Sequence, residues 1–300
     1  MAPTTITLDS PYVKTLHKKP YPGVSLLRPE LSQEGRTVLV VGASTGIGFA
    51  IARAFVQASA SHVILTGRRE KALADAVSKL QTETNDATTI SDFVSDVSDL
   101  QDSAKLWREF ANQGIIIDVL VLNAMNMGQG GPLLQADLGA TWKAFETNVR
   151  GLLDYAQHFS KQGSEGRPKF LVNVSTSCIH NWATEGRGIP TYALSKNAGT
   201  LMMQLIADDA DPRDMQVVSF HPGSVLSDTV RSAGFDETSK DWDDVNLSGQ
   251  FAVYCASEEA RFLHGRFVPV WWDVDELKTG EARARMESDD HFLKLGVIGV

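Results

Sequence analysis

The stretch TVLVVGASTGIG, residues 37–48, decides how this chain is read. Thr37 to Val41 is a short apolar, β-branched run closed by a glycine, which suits a strand buried on both faces, as in a parallel sheet. Gly46 to Gln57 has helical spacing, with Ile47, Ile51, Ala54 and Phe55 on one face. Each glycine between them has a physical task. Gly42 permits the tight turn, Gly46 lets the backbone approach a pyrophosphate, and Gly48 allows helix and strand to pack closely. The free N–H groups at the helix start then face the anion, and Ser44 and Thr45 can add hydroxyl donors. A glycine pattern alone is weak, but its place between strand and helix in the first βα unit points to a dinucleotide.

Outward from this turn, strands and helices alternate. Strands are expected at His62 to Thr66, Thr88 to Phe93, Ile115 to Leu122, Lys169 to Val174, Met215 to Phe220 and Gly265 to Val270. Helices are expected at Glu70 to Leu80, Leu100 to Gln113, Leu138 to Lys161 and Pro190 to Asp208. Repeated βα units of this length give a doubly wound parallel sheet, an α/β fold in three α/β/α layers. Ligands of such sheets bind at the carboxyl ends of the strands, so functional residues should lie just after strands. Residues 1–34, with Pro11, Pro20, Pro22 and Pro29, read as an extended N-terminal arm. The domain proper covers 35–272. The tail, 273–300, has an apolar end expected to pack on the domain or a neighbouring subunit.

Composition narrows the function. The chain has 300 residues, 43% hydrophobic and 22% charged, ordinary for a globular protein. The net charge of −9 and the lack of a basic stripe argue against nucleic acid as a partner. Two cysteines, Cys178 and Cys255, cannot form a disulfide framework or a CxxC metal site, and free thiols in a reducing compartment are expected. No apolar run is long enough to span a membrane, and no metal site is expected. The N-terminus lacks the pattern of a signal peptide, and a cytoplasmic location is expected by default.

The second strand ends in Thr66-Gly67-Arg68-Arg69. NAD sites usually place a carboxylate there, on the ribose 2′-hydroxyl. Here Gly67 stands in that place and Arg68 follows, able to pair with a 2′-phosphate, so NADP(H) is expected. Further along, Tyr192 and Lys196 are four residues apart on one helix face. A lysine cation beside a phenol lowers its pKa toward the range of proton transfer.

The ordered set of motifs resembles the short-chain dehydrogenase/reductase family, in its single-domain, NADP(H)-preferring branch, from about residue 36 to about residue 270. The motifs are Gly42, Gly46, Ile47 and Gly48; Asp96-Val97 after the third strand; Asn123-Ala124 after the fourth; Asn148 on the next helix; Ser175-Thr176-Ser177 after the fifth strand; Tyr192 and Lys196; and Pro222-Gly223-Ser224-Val225 after the sixth. The resemblance implies a Rossmann-type domain and a hydride transfer between NADPH and a ketone or alcohol. It makes Tyr192 the acid/base, and Lys196 the group that lowers its pKa and binds the nicotinamide ribose. A hydroxyl of residues 175–177 polarises the substrate oxygen, and Asn148 holds a proton-relaying water. Asp96 and Val97 contact adenine, and Pro222, Gly223 and Val225 border the nicotinamide. It also implies a homodimer or homotetramer formed through the two long helices.

Taken singly, Asp96 reads equally as a turn or cap residue and Asn148 as a partner for buried backbone. Two positions depart from the family pattern. Met125 follows Asn123-Ala124 where the family has glycine, and is a candidate to shape the substrate pocket. Threonine stands at the catalytic-serine register, so Thr176 is the first candidate hydroxyl and Ser177 the second, with Ser175 behind them. The resemblance implies a lid over residues 227–245, where Gly234 and an acidic cluster suit a surface loop or short helices. A small carbonyl or alcohol is the expected substrate. The alternatives are a non-catalytic NADP-binding sensor or scaffold, and the same fold used for dehydration, isomerisation or cyclisation.

Overall fold

The computed structural model describes residues 11–84, 87–163 and 166–297. Its centre is a seven-stranded parallel sheet with strand order β3-β2-β1-β4-β5-β6-β7. In chain order the elements are β1 (Thr37–Val41), α1 (Gly46–Gln57), β2 (His62–Gly67), α2 (Glu70–Thr82), β3 (Thr89–Val94), α3 (Leu100–Asn112) and β4 (Val119–Leu122). Then come α4 (Leu138–Phe145), α5 (Leu152–Lys161), β5 (Lys169–Val174), α6 (Pro190–Asp208) and β6 (Met215–His221). The chain continues with α7 (Asp228–Ser232), α8 (Val245–Cys255), β7 (Phe267–Pro269), α9 (Val274–Lys278) and α10 (Gly280–Ser288).

The doubly wound α/β architecture is as the sequence predicts, and its cause is visible in the strands. β1, β4 and β5 are almost wholly buried, so Val and Leu alternate between two cores rather than between core and water. One core joins Val38, Val40 and Val63 to Ile51 and Phe55 of α1 and to Phe251 of α8. The other joins Leu39, Ile64 and Leu120 to Phe110 of α3, Phe159 of α5 and Met203 of α6. The strand order reverses between β1 and β4, which opens the crevice that such sheets use for ligands.

Three expected elements are corrected. The fourth strand starts at Val119, not Ile115. The Ile115 N–H closes α3 by bonding the Phe110 carbonyl, and the Ile117 N–H bonds the Gln162 side chain, so the apolar run before Val119 is spent on a connection. The final strand is Phe267–Pro269 only, since Pro269 has no N–H to extend a ladder. The single helix expected over Leu138 to Lys161 is broken by a π-helical turn, Glu146–Gly151, that carries Asn148. This turn is tightly seated. A Cβ on Gly151 would lie 2.0 Å from the Val97 carbonyl oxygen, and one on Gly199 would lie 2.4 Å from that of Asn148.

The N-terminal segment and the tail meet. Val13, Tyr21, Val24 and Leu31 are buried in the first core, beside Leu277, Ala282 and Met286 of α9 and α10. Leu16 bridges Trp272, and the Tyr21 hydroxyl donates to the Trp272 carbonyl at 3.0 Å. Farther on, the Phe267 N–H donates to the Leu293 carbonyl at 2.8 Å, so the tail covers the β7 edge.

Candidate active site

The glycine turn forms the floor of a cleft of about 450 Å³. Gly42 and Gly46 adopt positive φ, 82° and 59°. A Cβ on Gly48 would lie 2.1 Å from the Gly42 carbonyl oxygen, so this position keeps helix on strand and does not touch ligand. Asn123 donates to that same carbonyl at 2.7 Å and ties the ends of β1 and β4 together. Thr45 stands at the cap of α1 but its side chain accepts from none of the helix N–H groups, which leaves the first of them for an anion in the cleft. A dinucleotide fits what is present: a glycine cradle, a free helix start and a long polar wall.

Most of the residues expected at the cofactor line this cleft: Gly42, Ser44, Thr45, Gly46 and Ile47; Arg68; Asp96 and Val97; Asn123; and Tyr192, Lys196 and Pro222. Gly48, Gly223 and Val225 do not line it. Gly223 holds φ at 90°, packs on Asp243 and donates its N–H to His221 Nδ1 at 2.8 Å, so it shapes the turn beneath Pro222. Met125 and Ala124 line the cleft itself, together with Ser95 and Thr147, to which motif reading assigns no role. Ser227, Asp228 and Thr229 close the far wall from the start of α7, an element too short to show periodicity.

The two arginines after β2 divide their contacts. Arg68 Nη1 stands 3.7 Å from Asp96 Oδ2 and is largely exposed. Arg69 Nη2 donates to Ser44 Oγ at 3.2 Å and to Thr45 Oγ1 at 3.3 Å, so it is Arg69 that reaches the glycine turn. Asp96 Oδ1 accepts from the Ser98 N–H and hydroxyl, the turn role, while its second oxygen faces Arg68.

Tyr192 and Lys196 reach the same cleft from the first turns of α6, which Pro190 starts. Lys196 is 3% exposed and donates to the Val174 carbonyl at 2.6 Å. Burial brings its pKa down to about 8. The Tyr192 phenol is pushed up, not down, first by burial and then by the Cys178 thiol, with the Thr176 hydroxyl pulling the other way. The depression expected from Lys196 is thus absent in the protein alone, because the ammonium is turned to Val174.

The three hydroxyls after β5 also divide. Ser175 pairs with Thr200 at 2.5 Å. Thr176 caps the following turn by accepting the Cys178 N–H at 3.3 Å, and its hydroxyl draws the Tyr192 pKa downward against burial. Ser177 donates to the Glu185 carboxylate, whose pKa burial raises, and lines a different cavity. Asn148 is fully buried, outside the cleft lining. Its amide holds Asn126 from both sides, accepting from that residue's N–H at 2.8 Å and donating to its carbonyl at 2.7 Å, and it donates to Ser195 Oγ at 2.9 Å. Both cysteines are free and buried. Among the described residues, no helix is long and apolar enough to cross a membrane.

Comparison with known proteins agrees with this geometry. The family model of the short chain dehydrogenases matches residues 36–238. A short chain dehydrogenase/reductase of Aspergillus aculeatus, AacuD, is 29% identical over 285 residues, covering 95% of this chain and 96% of its own. The short chain dehydrogenase pigC of Monascus ruber is 27% identical over 274 residues, covering 90% of this chain and 89% of its own. Among solved structures, the active-site complex of Pseudomonas aeruginosa RhlG with NADP shares the fold with a TM-score of 0.72 at 21% identity, covering 81% of this chain and 97% of that one. A short chain dehydrogenase of Shigella flexneri complexed with NADP has a TM-score of 0.69 at 24% identity, covering 81% and 99%. The protein belongs to the short-chain dehydrogenase/reductase family of oxidoreductases.

Proposed function

We propose that this protein is an NADP(H)-dependent ketoreductase of a specialised-metabolite pathway, exchanging hydride between the nicotinamide and a ketone or secondary alcohol. One observation carries the reading: a phenol and an ammonium enter the same cleft as the glycine turn, with two arginines and no carboxylate at the end of β2. The NADP complexes of the structural neighbours support the choice of nucleotide. The hydride would come from, or return to, a nicotinamide bound beside Tyr192.

Tyr192 stays protonated at neutral pH, because burial disfavours phenolate, and is therefore set to give its proton to a carbonyl oxygen being reduced. Thr176, whose hydroxyl draws that phenol's pKa downward, is the second donor for the same oxygen. Lys196 is placed to turn from the Val174 carbonyl toward a ribose hydroxyl, and its charge then favours phenolate. Asn148 acts by holding the Asn126 backbone beside Met125 and by fixing Ser195 on α6. The NADP reading uses Arg68 and Arg69 against the 2′-phosphate.

The exposed Leu138 and Trp142 of α4 and Leu194 and Leu205 of α6 support a homodimer or homotetramer. The free, buried thiols support a cytoplasmic location.

Tyr192→Phe tests the catalytic assignment. The variant should bind NADPH with unchanged affinity and lose about 10²- to 10⁴-fold in ketone reduction, measured as NADPH oxidation over a panel of ketones. Unchanged turnover refutes the acid/base role. NADPH binding without turnover by the native protein on any ketone would favour the sensor or scaffold.

A further inference from the structure

A second cavity, of about 760 Å³, lies outside the nucleotide cleft and shares none of its lining residues. That volume is within the range of small-molecule sites. Its walls are aromatic: Trp182 from the loop after β5, Phe267 on β7, and Trp271 and Trp272 beyond it. Leu201 and Asn197 of α6 and residues 293–297 of the tail complete it.

The tail wall is anchored. Phe267 N–H bonds the Leu293 carbonyl at 2.8 Å, Leu295 N–H bonds Gln204 Oε1 at 3.2 Å, and Lys294 Nζ pairs with Asp208 at 3.2 Å. The last contact neutralises the cavity's one ammonium, so the lining offers no free cation for a carboxylate or phosphate.

Several polar groups in the lining have no hydrogen-bond partner among the described residues, the buried Trp272 indole N–H and His221 Nε2 among them. His221, at the end of β6, is 9% exposed and packs edge-on against Trp271 at 4.8 Å between ring centres. Its Nδ1 accepts the Gly223 N–H at 2.8 Å, which fixes the neutral tautomer with the proton on Nε2. No partner for Nε2 appears among the described residues. The Nε2 donor is open to the cavity and not sealed in the protein, so an acceptor on a ligand can reach it and gain a hydrogen bond.

From this chemistry we infer that the cavity binds a small, neutral, planar aromatic molecule whose carbonyl or hydroxyl oxygen accepts from His221 Nε2. The aromatic walls stack on its ring, and the absence of a free charge selects against ionised ligands. Binding there leaves the nucleotide cleft open, so the inference stands apart from hydride transfer.

Equilibrium dialysis of the native protein saturated with NADPH, against 2-naphthol, tests it. We expect saturable binding of one molecule per chain, about 3- to 10-fold tighter for 2-naphthol than for naphthalene, as one hydrogen bond supplies. The anion 2-naphthoate should bind more weakly than either. Leu295→Trp, which fills the cavity from the tail, should weaken 2-naphthol binding more than about 10-fold while NADPH affinity holds. Trp182→Ala, at the exposed rim, should weaken it less. Absence of saturable binding overturns the inference, as a cavity closed by a second copy would produce. So does competition with NADPH, equal affinity for naphthalene, or an unchanged affinity in Leu295→Trp. NADPH binding, measured in the same cells, separates these results from a failure of the nucleotide reading.

Discussion

The nucleotide cleft and the aromatic cavity both use the carboxyl ends of the sheet's strands, yet they are built from different parts of the chain. The cleft is made of backbone. Its floor is the turn that carries Gly42 and Gly46, and a Cβ on Gly42, or on Gly48 where helix packs on strand, would collide with main-chain atoms less than 3 Å away. The cavity is made of side chains from the loop after β5, the ends of β6 and β7, and a tail that begins after the sheet is complete. A floor of backbone accepts the invariant part of a ligand. Walls of large side chains change with single substitutions and suit the part that varies.

Of the hydroxyls after β5, Ser175 lines the cleft, Ser177 lines the aromatic cavity and Thr176 lines neither, and the contrast between Thr176 and Ser177 gives the strongest test of the division. Thr176 faces the Tyr192 phenol, whereas Ser177 turns to Glu185 and the aromatic cavity. Thr176→Val keeps the shape of the side chain and removes the donor, so kcat should fall about 10²- to 10³-fold, the cost of one donor to a developing oxyanion. Ser177→Ala should change kcat by less than about 3-fold, because its hydroxyl is spent on a carboxylate. If the two variants exchange these effects, the catalytic hydroxyl belongs to the cavity side and the boundary drawn here is misplaced.

This contrast also explains what was legible in the sequence. The β1–α1 turn could be read because each of its demands is local: φ at Gly42, close approach at Gly48, a helix start at Thr45. Tyr192 and Lys196 could be read because helical spacing alone places them on one side. The π turn at Asn148 could not. It follows from the fit of Gly151 on Val97 and of Gly199 on Asn148, contacts between residues far apart in sequence. The direction of the Tyr192 shift is not legible for a similar reason. Spacing places a cation one turn away, but only packing shows that the Lys196 ammonium is drawn to Val174 and that burial dominates. Arg69 was overshadowed by Arg68, since nothing in the order of the two residues says which one bends back over the glycine turn.

The buried ammonium supplies the next test, on stability. Lys196 has its pKa lowered from 10.5 to about 8 by burial. The unfolded chain therefore holds this proton more tightly than the native state does. In the nucleotide-free protein the penalty is complete below pH 8 and fades as pH rises toward 10.5. At 1.36 kcal/mol per unit of pKa, the penalty is about 3 kcal/mol, against about 1 kcal/mol for the hydrogen bond to Val174. Lys196→Met should abolish turnover and stabilise the nucleotide-free protein at pH 7 by about 2 kcal/mol in urea unfolding. The gain should shrink between pH 8 and 10. A variant less stable than the native protein at pH 7 would show that the ammonium is better solvated than its burial suggests.

The smallest expected effect concerns the rim of the cleft, where the backbone floor gives way to side chains. NADPH and NADH share the pyrophosphate that the glycine turn and the α1 start receive, and differ only in the 2′-phosphate. The ratio of their affinities therefore isolates the rim from the floor. Arg68 and Arg69 are both at the surface, so each charge-assisted contact is screened and is worth less than a buried one. The double variant Arg68→Ala, Arg69→Ala should lower the NADPH-over-NADH preference about 10-fold, roughly 1.4 kcal/mol, with NADH affinity nearly unchanged. Of the single variants, Arg69→Ala should also weaken NADH slightly, because Arg69 steadies the Ser44 and Thr45 hydroxyls. Arg68→Ala should act on NADPH alone, offset in part by the release of its ion pair with Asp96. Raising the salt concentration should compress the native preference toward that of the double variant. A preference that survives both changes would mean that the 2′-phosphate is held by backbone after all, and the division between an invariant floor and a selective rim would fail at the place where it is easiest to measure.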